Sequence, residues 1–344
     1  MKAYPLFKLF IDNQAVDLNN LAQSKFNSSW QLSIIKFVTD FSNDDTSINV
    51  KTSGSTGKPK QIELLKSRMR NSAEMTGSFL KLKENDKALL CLSADYIAGK
   101  MMLVRAMVLG LEIHCYEPKT EMLQKRNQHF AFSAMVPMQA MANLKWLSKI
   151  DTLIIGGGTL SQSDTNTLIE SKHSGLYQTF GMTETISHVA LKLISEKYYT
   201  ALKDISFSLS QNETLVIDAP NLLDEPISTN DLVHLESNTS FEWLGRVDNV
   251  INSGGYKIIP EKVEIEIGRI LRKPFFVAGI QDAQFGEKMV LFIEGENSEF
   301  KSNQLKELEL NKFEIPKEVY FIEEFTRTDT AKIQRKATIM KFLE

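Results

Sequence analysis

Lys51-Thr-Ser-Gly-Ser-Thr-Gly-Lys-Pro-Lys60 is the stretch from which the fold of this sequence can be read. It holds two glycines, four hydroxyl side chains and three lysines, and a β-type run at 47–50 leads into it. Gly54 and Gly57 allow the backbone to approach a ligand closely. Hydroxyl and backbone N–H groups can then wrap a polyphosphate while Lys58 and Lys60 offset its charge. A polar surface loop is the alternative, but clustered lysines repel one another without a counter-charge, which favours a phosphate loop.

The stretch is not a Walker A loop, which needs four residues between its first glycine and the Gly-Lys pair and a Ser or Thr after the lysine. Here two residues separate Gly54 from Gly57, and Pro59 follows Lys58. Proline lacks an N–H and disfavours a helical conformation at the residue before it, so no helix can begin at this lysine. We therefore expect a mobile phosphate loop on a strand-to-strand turn.

Length and composition limit the classes of protein to consider. A chain of 344 residues exceeds one ordinary hydrophobic core, so two domains are expected. The net charge of −3 gives no electrostatic reason to expect binding to nucleic acid or an anionic membrane. Cys91 and Cys115 lie beside apolar residues, as core thiols of a reducing compartment do. Without a signal-peptide pattern or a membrane-spanning stretch, we expect a cytoplasmic protein. The oligomeric state stays open, a homodimer included.

Strand-like and helix-like runs alternate up to about residue 180, which predicts an α/β fold. The expected strands are at 87–92, 112–116, 130–136, 151–155 and 175–180. The expected helices are at 28–41, 67–79, 96–110 and 137–147. The helix at 96–110 is apolar on almost all sides and ends at Gly110, a favoured position for glycine. Lys100 and Arg105 lie within it, where a charge either reaches the surface on its long stem or faces an anionic ligand.

Gly156-Gly-Gly-Thr159 follows the expected strand at 151–155. Glycines at the carboxyl end of a strand leave room for a flat ring against the backbone. Ligands of open α/β sheets bind at this edge, so the sequence predicts a ligand site here.

From about residue 213 the pattern changes to short strands and turns. We expect Thr229-Asn-Asp231 to cap a turn and Gly245-Arg-Val-Asp248 to be a hinge between domains. Pro260 stands at the favoured first position of a helix expected to reach about residue 271. The remaining expected elements are strands at 214–217, 232–235, 241–244, 276–280, 289–294 and 318–325, and a helix at 302–311. The C-terminal part is thus predicted to be a small α+β domain.

Five motifs follow one another in a fixed order: the 51–60 loop, the glycines at 156–158, Phe180-Gly-Met-Thr-Glu184, Thr229-Asn-Asp231 before Gly245-Arg-Val-Asp248, and Thr328-Asp-Thr-Ala-Lys-Ile333. Each alone is weak evidence, but together they resemble the adenylate-forming superfamily of acyl-CoA synthetases, adenylation domains and luciferases. The resemblance implies a large ATP- and acid-binding domain of mixed sheets with packed helices at 1–246. It also implies a small mobile α+β lid domain at 247–344, which carries a catalytic lysine.

The resemblance also implies the roles of individual residues. The implied ATP- and AMP-binding residues are Thr52, Ser53, Gly54, Ser55, Thr56, Gly57, Lys60, Gly157, Gly158, Thr159, Thr179, Phe180, Gly181, Asp231 and Arg246. Lys332, Thr183 and Glu184 would be catalytic, and Glu184 would hold Mg²⁺, a cation that prefers carboxylate and phosphate oxygens. Asp248 would be the hinge, and the Gly254-Gly255 loop would face the CoA side after the small domain turns.

The sequence departs from the family pattern at several positions. Phe180 stands where tyrosine is usual, and Asn230 and Ala331 stand where glycine is usual. Fewer residues precede the phosphate loop than in most members, so we expect an abbreviated N-terminal part.

Within the superfamily, Tyr96–Arg105 and Gly181–Leu191 resemble the o-succinylbenzoate–CoA ligases of menaquinone biosynthesis. Such a ligase activates its acid with ATP and transfers the acyl group to CoA. The activated acid keeps a second carboxylate, for which Lys100 is the first candidate partner and Arg105, Thr185 and His188 are others. For each of these four, an ordinary structural role is an equal alternative.

Two further functions stay open: an adenylating ligase for another aryl or acyl acid, and a non-catalytic nucleotide-binding homologue. The presence of both Glu184 and Lys332 disfavours the second. A carboxylate is a poor acyl donor, and attack on the α-phosphate of ATP requires charge neutralisation and alignment instead of a nucleophilic side chain. The sequence supplies lysines and hydroxyls for this, and no Ser-His-Asp or Cys-His pattern.

Overall fold

The computed structural model describes residues 4–21, 25–51, 61–124, 127–158, 160–296, 300, 302–328 and 333–343. Within these ranges the seven α-helices are α1 Ser29–Ser42, α2 Lys66–Leu80, α3 Ile97–Leu109, α4 Pro137–Ala142, α5 Gln162–Glu170, α6 Pro260–Ile267 and α7 Arg335–Leu343. The twenty strands of the same ranges are β1 Lys8–Ile11, β2 Gln14–Ala15, β3 Ser47–Lys51, β4 Gln61–Leu65, β5 Lys87–Leu90, β6 Glu112–Cys115, β7 Phe130–Met135, β8 Ile150–Ile155, β9 Leu176–Gly181, β10 His188–Leu193, β11 Tyr199–Ala201, β12 Ser206–Leu209, β13 Thr214–Asp218, β14 Ile227–Ser237, β15 Ser240–Arg246, β16 Ile251–Ser253, β17 Tyr256–Ile258, β18 Phe275–Asp282, β19 Gly286–Glu294 and β20 Glu318–Ile322. Short 3-10 helices lie at Leu144–Lys149, Val247–Asn249 and Ser302–Glu307.

The chain divides into two compact units. The first comprises Met1–Thr159, Leu168–Ser206 and Asp218–Pro226, and the second comprises Leu160–Thr167, Phe207–Ile217 and Ile227–Glu344. We expected a division after residue 246, whereas residues 227–246 group here with the C-terminal part.

A mixed sheet forms the framework of the first unit, with its strands in the order β11-β10-β9-β8-β7-β5-β6-β1-β2. The six strands β9-β8-β7-β5-β6-β1 are parallel to one another, and β2 runs antiparallel to β1. Strand β10 then runs antiparallel to β9. The predicted α/β class, with mixed sheets and packed helices, is confirmed.

Helix α3 is the buried helix of this unit, and it packs against α2, β5, β6 and β7. Every residue from Met101 to Met107 is buried, as the apolar sequence predicts. Gly110 ends the helix with a φ of 67°, a left-handed conformation that glycine adopts without steric cost.

A separate hairpin carries the ends of the expected phosphate loop. Strands β3 and β4 pair antiparallel, with Lys51 opposite Gln61, so the loop between them joins two paired strands as predicted. Helix α2 begins directly after β4, and Lys66 at its start is buried. The Lys66 ammonium donates to Asp40 O at 2.6 Å, Asn43 O at 3.1 Å and Asn43 Oδ1 at 2.6 Å. It therefore satisfies carbonyl groups at the end of α1, which no backbone N–H of the helix can reach.

The second unit contains strands in the order β12-β13-β14-β15, of which β13, β14 and β15 pair antiparallel. It also contains a sheet in the order β17-β16-β19-β18, with β20 parallel to β19. Helix α6 begins at Pro260, which occupies its first turn as predicted. Val263 and Ile267 of this helix pack with Val277, Leu291 and other buried residues into one core.

Several predicted elements differ from the structure. The expected helix at 137–147 is α4 at Pro137–Ala142, followed by a 3-10 helix at Leu144–Lys149. Thr229-Asn-Asp231 was expected to cap a turn but lies within β14, because pairing with β13 and β15 extends this strand over eleven residues. The expected helix at 302–311 is a 3-10 helix at Ser302–Glu307, and α6 ends at Ile267, four residues short of the predicted end. None of the helices in the described ranges combines the length and apolar character needed to cross a membrane.

Candidate active site

The glycines at 156–158 follow β8, and Met182 to Ser187 follow β9, its parallel neighbour. Both segments therefore lie at the same carboxyl edge of the sheet, where ligands of α/β folds bind. Thr179 packs against Gly156 so closely that a Cβ on this glycine would lie 2.1 Å from the Thr179 hydroxyl. Gly157 has a φ of 75° and is exposed, so its backbone is open to a flat ligand. Phe180 packs at 5.7 Å from the Tyr199 ring.

The turn after β9 is held from inside by Thr185, which is fully buried. Its hydroxyl accepts from the Met182 N–H at 3.0 Å and lies 2.8 Å from Ser187 O. Ile186 has a φ of 68°, an unfavourable conformation for a β-branched residue that the surrounding turn imposes. These contacts fix the backbone on which Thr183 and the exposed Glu184 stand.

Glu184 is the carboxylate expected to bind magnesium. In the described part of the chain no three His, Cys, Asp or Glu side chains form a metal-binding group. A lone exposed carboxylate suits Mg²⁺, which keeps several water ligands and takes phosphate oxygens from a nucleotide. Glu184 therefore fits a metal that arrives with its nucleotide.

Arg105 is one of two buried cations among the described residues of the first unit, and it is only 2% exposed. It donates to Ser187 Oγ at 2.8 Å and lies 3.4 Å from His188 Nδ1. Among the described residues, its Nε has no hydrogen-bond partner and no carboxylate forms an ion pair with the guanidinium. Burial lowers the pKa of Arg105 to about 9, so the group stays charged at neutral pH. A buried charge without a counter-ion is unfavourable and favours binding of an anion.

His188 connects this guanidinium to helix α2. The Thr76 hydroxyl donates to Ser72 O at 2.9 Å, so it accepts from His188 Nε2–H at 3.0 Å. That leaves Nδ1 as the acceptor that faces Arg105. Burial, and then the charge of Arg105, hold the pKa of His188 well below its usual value. The ring is therefore neutral, and Arg105 stays the positive group of the cluster.

Lys100 lies on the same helix, but its ammonium bonds the backbone. It donates to Ala94 O at 2.5 Å and to Asp95 O at 2.7 Å, and lies 5.7 Å from the centre of the Phe37 ring. Of the four residues expected to contact the acid, Arg105 and His188 lie 3.4 Å apart, and Thr185 is connected to them through Ser187. Lys100 is bound to carbonyl groups nearer the start of the helix.

Asp231 in the second unit is buried on β14 and is the residue expected to bind the ribose. Its Oδ1 accepts from the Trp243 indole N–H at 2.9 Å and lies 3.5 Å from Arg246. Sequence reasoning did not identify Trp243, because no local motif includes it.

The expected hinge residue Asp248 follows β15 in the second unit. Asn230 donates to both its carboxylate oxygens at 3.2 and 3.1 Å, and Arg246 donates at 3.0 Å. Burial raises the pKa of Asp248, but these donors outweigh burial and leave the pKa below its usual value. Asn230, which stands where family members usually carry glycine, thus adds a contact to the expected hinge residue.

Gly254 and Gly255 form the two-residue turn of the β16–β17 hairpin, with φ angles of 57° and 85°. Positive φ at both positions is typical of a type I′ turn and explains the paired glycines. No atom lies within 4 Å of a Cβ built on Gly255, so this face of the turn is open among the described residues.

Several expected site residues lie outside the described residues: Thr52, Ser53, Gly54, Ser55, Thr56, Gly57, Lys60, Thr159 and Lys332. One ion pair involves an arginine before Lys332 in the sequence, and another involves an arginine after it. Arg327 donates to Glu294 at 2.6 Å, and Arg335 donates to Glu264 at 2.8 Å.

Among the known proteins similar to this chain are proteins named as CoA ligases or acyl-CoA synthetases. 2-Succinylbenzoate–CoA ligase of Listeria monocytogenes serovar 1/2a is 26% identical over 318 residues, an alignment that covers 83% of this chain and 68% of that protein. A solved acyl-CoA synthetase (AMP-forming)/AMP-acid ligase II-like protein from Dyadobacter fermentans is 33% identical, with a TM-score of 0.63, over 93% of this chain and 96% of that one. The o-succinylbenzoate coenzyme A synthetase of Bacillus subtilis, solved with ATP and magnesium ion, is 18% identical and shares the fold, with a TM-score of 0.72 over 86% of this chain and 70% of that one.

The family model described as AMP-binding enzyme matches residues 5–226, well over half of the chain. This match and the Dyadobacter fermentans relative agree with the order of motifs along the sequence. The chain therefore belongs to the AMP-binding enzyme family.

Proposed function

We propose that the protein is an ATP-dependent o-succinylbenzoate–CoA ligase of menaquinone biosynthesis. The observation that supports this substrate most is Arg105, a buried guanidinium without a carboxylate partner among the described residues. o-Succinylbenzoate is a dianion, and one carboxylate remains charged after the other is activated. Such a carboxylate would supply the counter-ion that Arg105 lacks.

The reaction has two steps. In the first, a carboxylate oxygen of the acid attacks the α-phosphorus of ATP, the bond to the β-phosphate breaks, and pyrophosphate leaves. In the second, the CoA thiolate attacks the acyl carbon and AMP leaves with the activating oxygen. Neither step needs a nucleophilic side chain, so the protein contributes alignment and charge neutralisation.

The residues expected to bind ATP each have a proposed part in this chemistry. The glycines at 157–158, with Thr179 and Phe180, would hold the adenine, and Thr183 would contact the α-phosphate. Glu184 would hold Mg²⁺, which supplies charge neutralisation at the phosphates. Asp231 and Arg246 would hold the ribose. The small domain from residue 247 would turn about Asp248, exchanging Lys332 for the Gly254-Gly255 loop between the two steps.

The acid pocket would be built from Arg105, with His188 and Thr185 beside it. A neutral His188 accepts a hydrogen bond from Arg105 and carries no charge of its own. Arg105 would therefore be the positive group that pairs with the substrate carboxylate. Lys100 stays a candidate at the start of the same helix. The curated relatives named 2-succinylbenzoate–CoA ligase support this substrate at about a quarter identity.

The test is a pyrophosphate-release assay with two acids that differ at one group. o-Succinylbenzoate carries the aromatic carboxylate, and 4-oxo-4-phenylbutanoate has the same skeleton without it. Arg105→Met should raise KM for o-succinylbenzoate by about tenfold to a hundredfold, since hydrogen bonds to charged groups contribute this much, and should change KM for the second acid little. Arg70→Met is the matched control, because Arg70 is a partly buried arginine of the neighbouring helix that bonds Tyr4 at 2.9 Å.

The outcomes of this assay test the identity of the substrate separately from the class of reaction. Pyrophosphate release with a different acid of a panel, but not with o-succinylbenzoate, would reject o-succinylbenzoate as the substrate. The proposed ligase activity would then stand with another acid. An equal effect of Arg105→Met on both acids would reject the role of Arg105. No ATP-dependent release with any acid, with or without CoA, would reject the ligase itself.

A further inference from the structure

Trp243 lies on the face of the second unit's sheet that carries Asp231, and an irregularity in strand pairing puts it there. Along β14 and β15, Asp231 pairs with Arg246, Leu232 with Gly245, and Val233 with Trp243. Leu244 has no partner in this register, so it is the extra residue of a β-bulge.

The bulge decides which face Trp243 occupies. Side chains of a strand alternate between faces, so residues three apart, such as Trp243 and Arg246, point to opposite sides in a regular strand. One extra residue reverses the alternation. Trp243 therefore shares a face with Val233, Asp231 and Arg246, and its indole N–H reaches Asp231 Oδ1 at 2.9 Å.

The Asp231 carboxylate has two unequal oxygens as a result. Oδ1 receives the indole N–H and lies 3.5 Å from Arg246, whose guanidinium is 43% exposed and also bonds Asp248. No donor from the described residues bonds Oδ2. The end torsion of an aspartate is broad and twofold, so a carboxylate without a fixed donor can exchange its oxygens. The exposed and shared Arg246 restrains it weakly. The indole is the donor that fixes it.

We propose that Trp243 is a positioning residue that holds the Asp231 carboxylate so that Oδ2 faces a vicinal diol of the nucleotide sugar. This inference rests on the proposed function, in which Asp231 binds the ribose of ATP. An oxygen already oriented accepts both sugar hydroxyls without a rotation on binding. Trp243 thereby sets the preference for ribose over a sugar that lacks one hydroxyl, although it does not touch the sugar itself.

The test compares ATP with 2′-deoxyATP in pyrophosphate release. Trp243→Phe keeps an aromatic ring and removes the N–H. We expect kcat/KM for ATP to fall about tenfold and for 2′-deoxyATP distinctly less, so that discrimination between the sugars shrinks by about fivefold. KM for the acid should not change. Trp146→Phe, the same change in a partly buried tryptophan of the first unit, should leave discrimination unchanged.

A second measurement does not depend on the folding of Trp243→Phe. With ¹⁵N in the indole rings, the wild-type chain gives three indole N–H resonances, one for each tryptophan. Trp30→Phe and Trp146→Phe assign two of them, and therefore the third. Added AMP should shift the Trp243 resonance most, and 2′-deoxyAMP should shift it less.

Either measurement can overturn the inference. Equal fold loss of kcat/KM with both nucleotides in Trp243→Phe means a merely structural role, and unchanged kcat/KM values for both nucleotides mean no role. Likewise, a Trp243 resonance that moves equally with both nucleotides, or with neither, rejects the inference. If the wild-type enzyme does not use ATP, both the proposed function and this inference are rejected. If the wild-type enzyme discriminates between the two sugars and Trp243→Phe discriminates equally well, only this inference is rejected.

Discussion

Replacing Glu264 with Gln should make the stability of the protein less sensitive to pH. Glu264 lies on α6, where its side chain is 17% exposed and accepts from Val277 N–H at 2.7 Å and from Arg335 at 2.8 Å. Burial raises the pKa of Glu264 to about 7, and neighbouring Glu261 adds to this, against the opposing effects of Arg335 and the Val277 N–H. The folded chain thus favours the protonated carboxyl more than the unfolded chain does.

The sign and size of the effect follow from this difference. The contribution to stability is full below the ordinary pKa of 4.5 and is lost as pH rises through about 7. At about 1.4 kcal/mol for each pH unit, the loss reaches about 3 kcal/mol, and about 2 kcal/mol is the better expectation for a side chain that keeps some exposure. Gln approximates the protonated carboxyl of Glu264. In the variant, Arg335 still has an acidic partner, because Glu261 lies 3.9 Å away.

The assay is urea unfolding of wild type and Glu264→Gln at pH 5, 6, 7 and 8. The free energy of unfolding of wild type should fall relative to the variant over this range. Glu309→Gln, at a side chain that is 86% exposed, is the control and should follow wild type. A difference between wild type and Glu264→Gln that stays constant from pH 5 to pH 8 would refute the reasoning.

Three other changes test the proposed chemistry and the fold. Lys332→Ala should nearly abolish acyl-adenylate formation and leave CoA transfer from supplied acyl-adenylate largely intact; equal slowing of both steps would contradict a two-orientation mechanism. Glu184→Gln should lower activity by orders of magnitude and be partly rescued by raised Mg²⁺, whereas wild-type activity at low Mg²⁺ would exclude its role. Lys66→Met should lower the free energy of unfolding by about 1 to 3 kcal/mol, because carbonyl groups at the end of α1 lose their donor; an unchanged urea midpoint would contradict this.

Sequence alone predicts elements whose cause is local. Helix α3 follows from a run that is apolar on all sides and ends at Gly110, and the β3–β4 hairpin follows from a loop that cannot begin a helix. Both rest on the preferences of residues next to one another along the chain, and both are confirmed.

Contacts between distant residues could not be predicted in this way. His188 bonds Thr76 from 112 positions away, and only the packing of α2 beside α3 and β10 brings them together. The place of Asp231 within β14 depends on its partner strands, which no turn motif reveals. The bulge at Leu244 contradicts simple alternation, so a sequence pattern assigns Trp243 to the wrong face.

The buried Arg105 also connects the supply of substrate to the lifetime of the protein, on the function proposed here. A ligand that binds only the folded chain stabilises it by mass action. An acid whose carboxylate pairs with the buried Arg105 guanidinium is such a ligand, because this charge is buried only in the folded chain. Proteases act on the transiently opened chain, whose population rises when stability falls. A cell that stops making the acid would therefore retain less of the enzyme, and abundance would follow metabolic demand without a dedicated regulator.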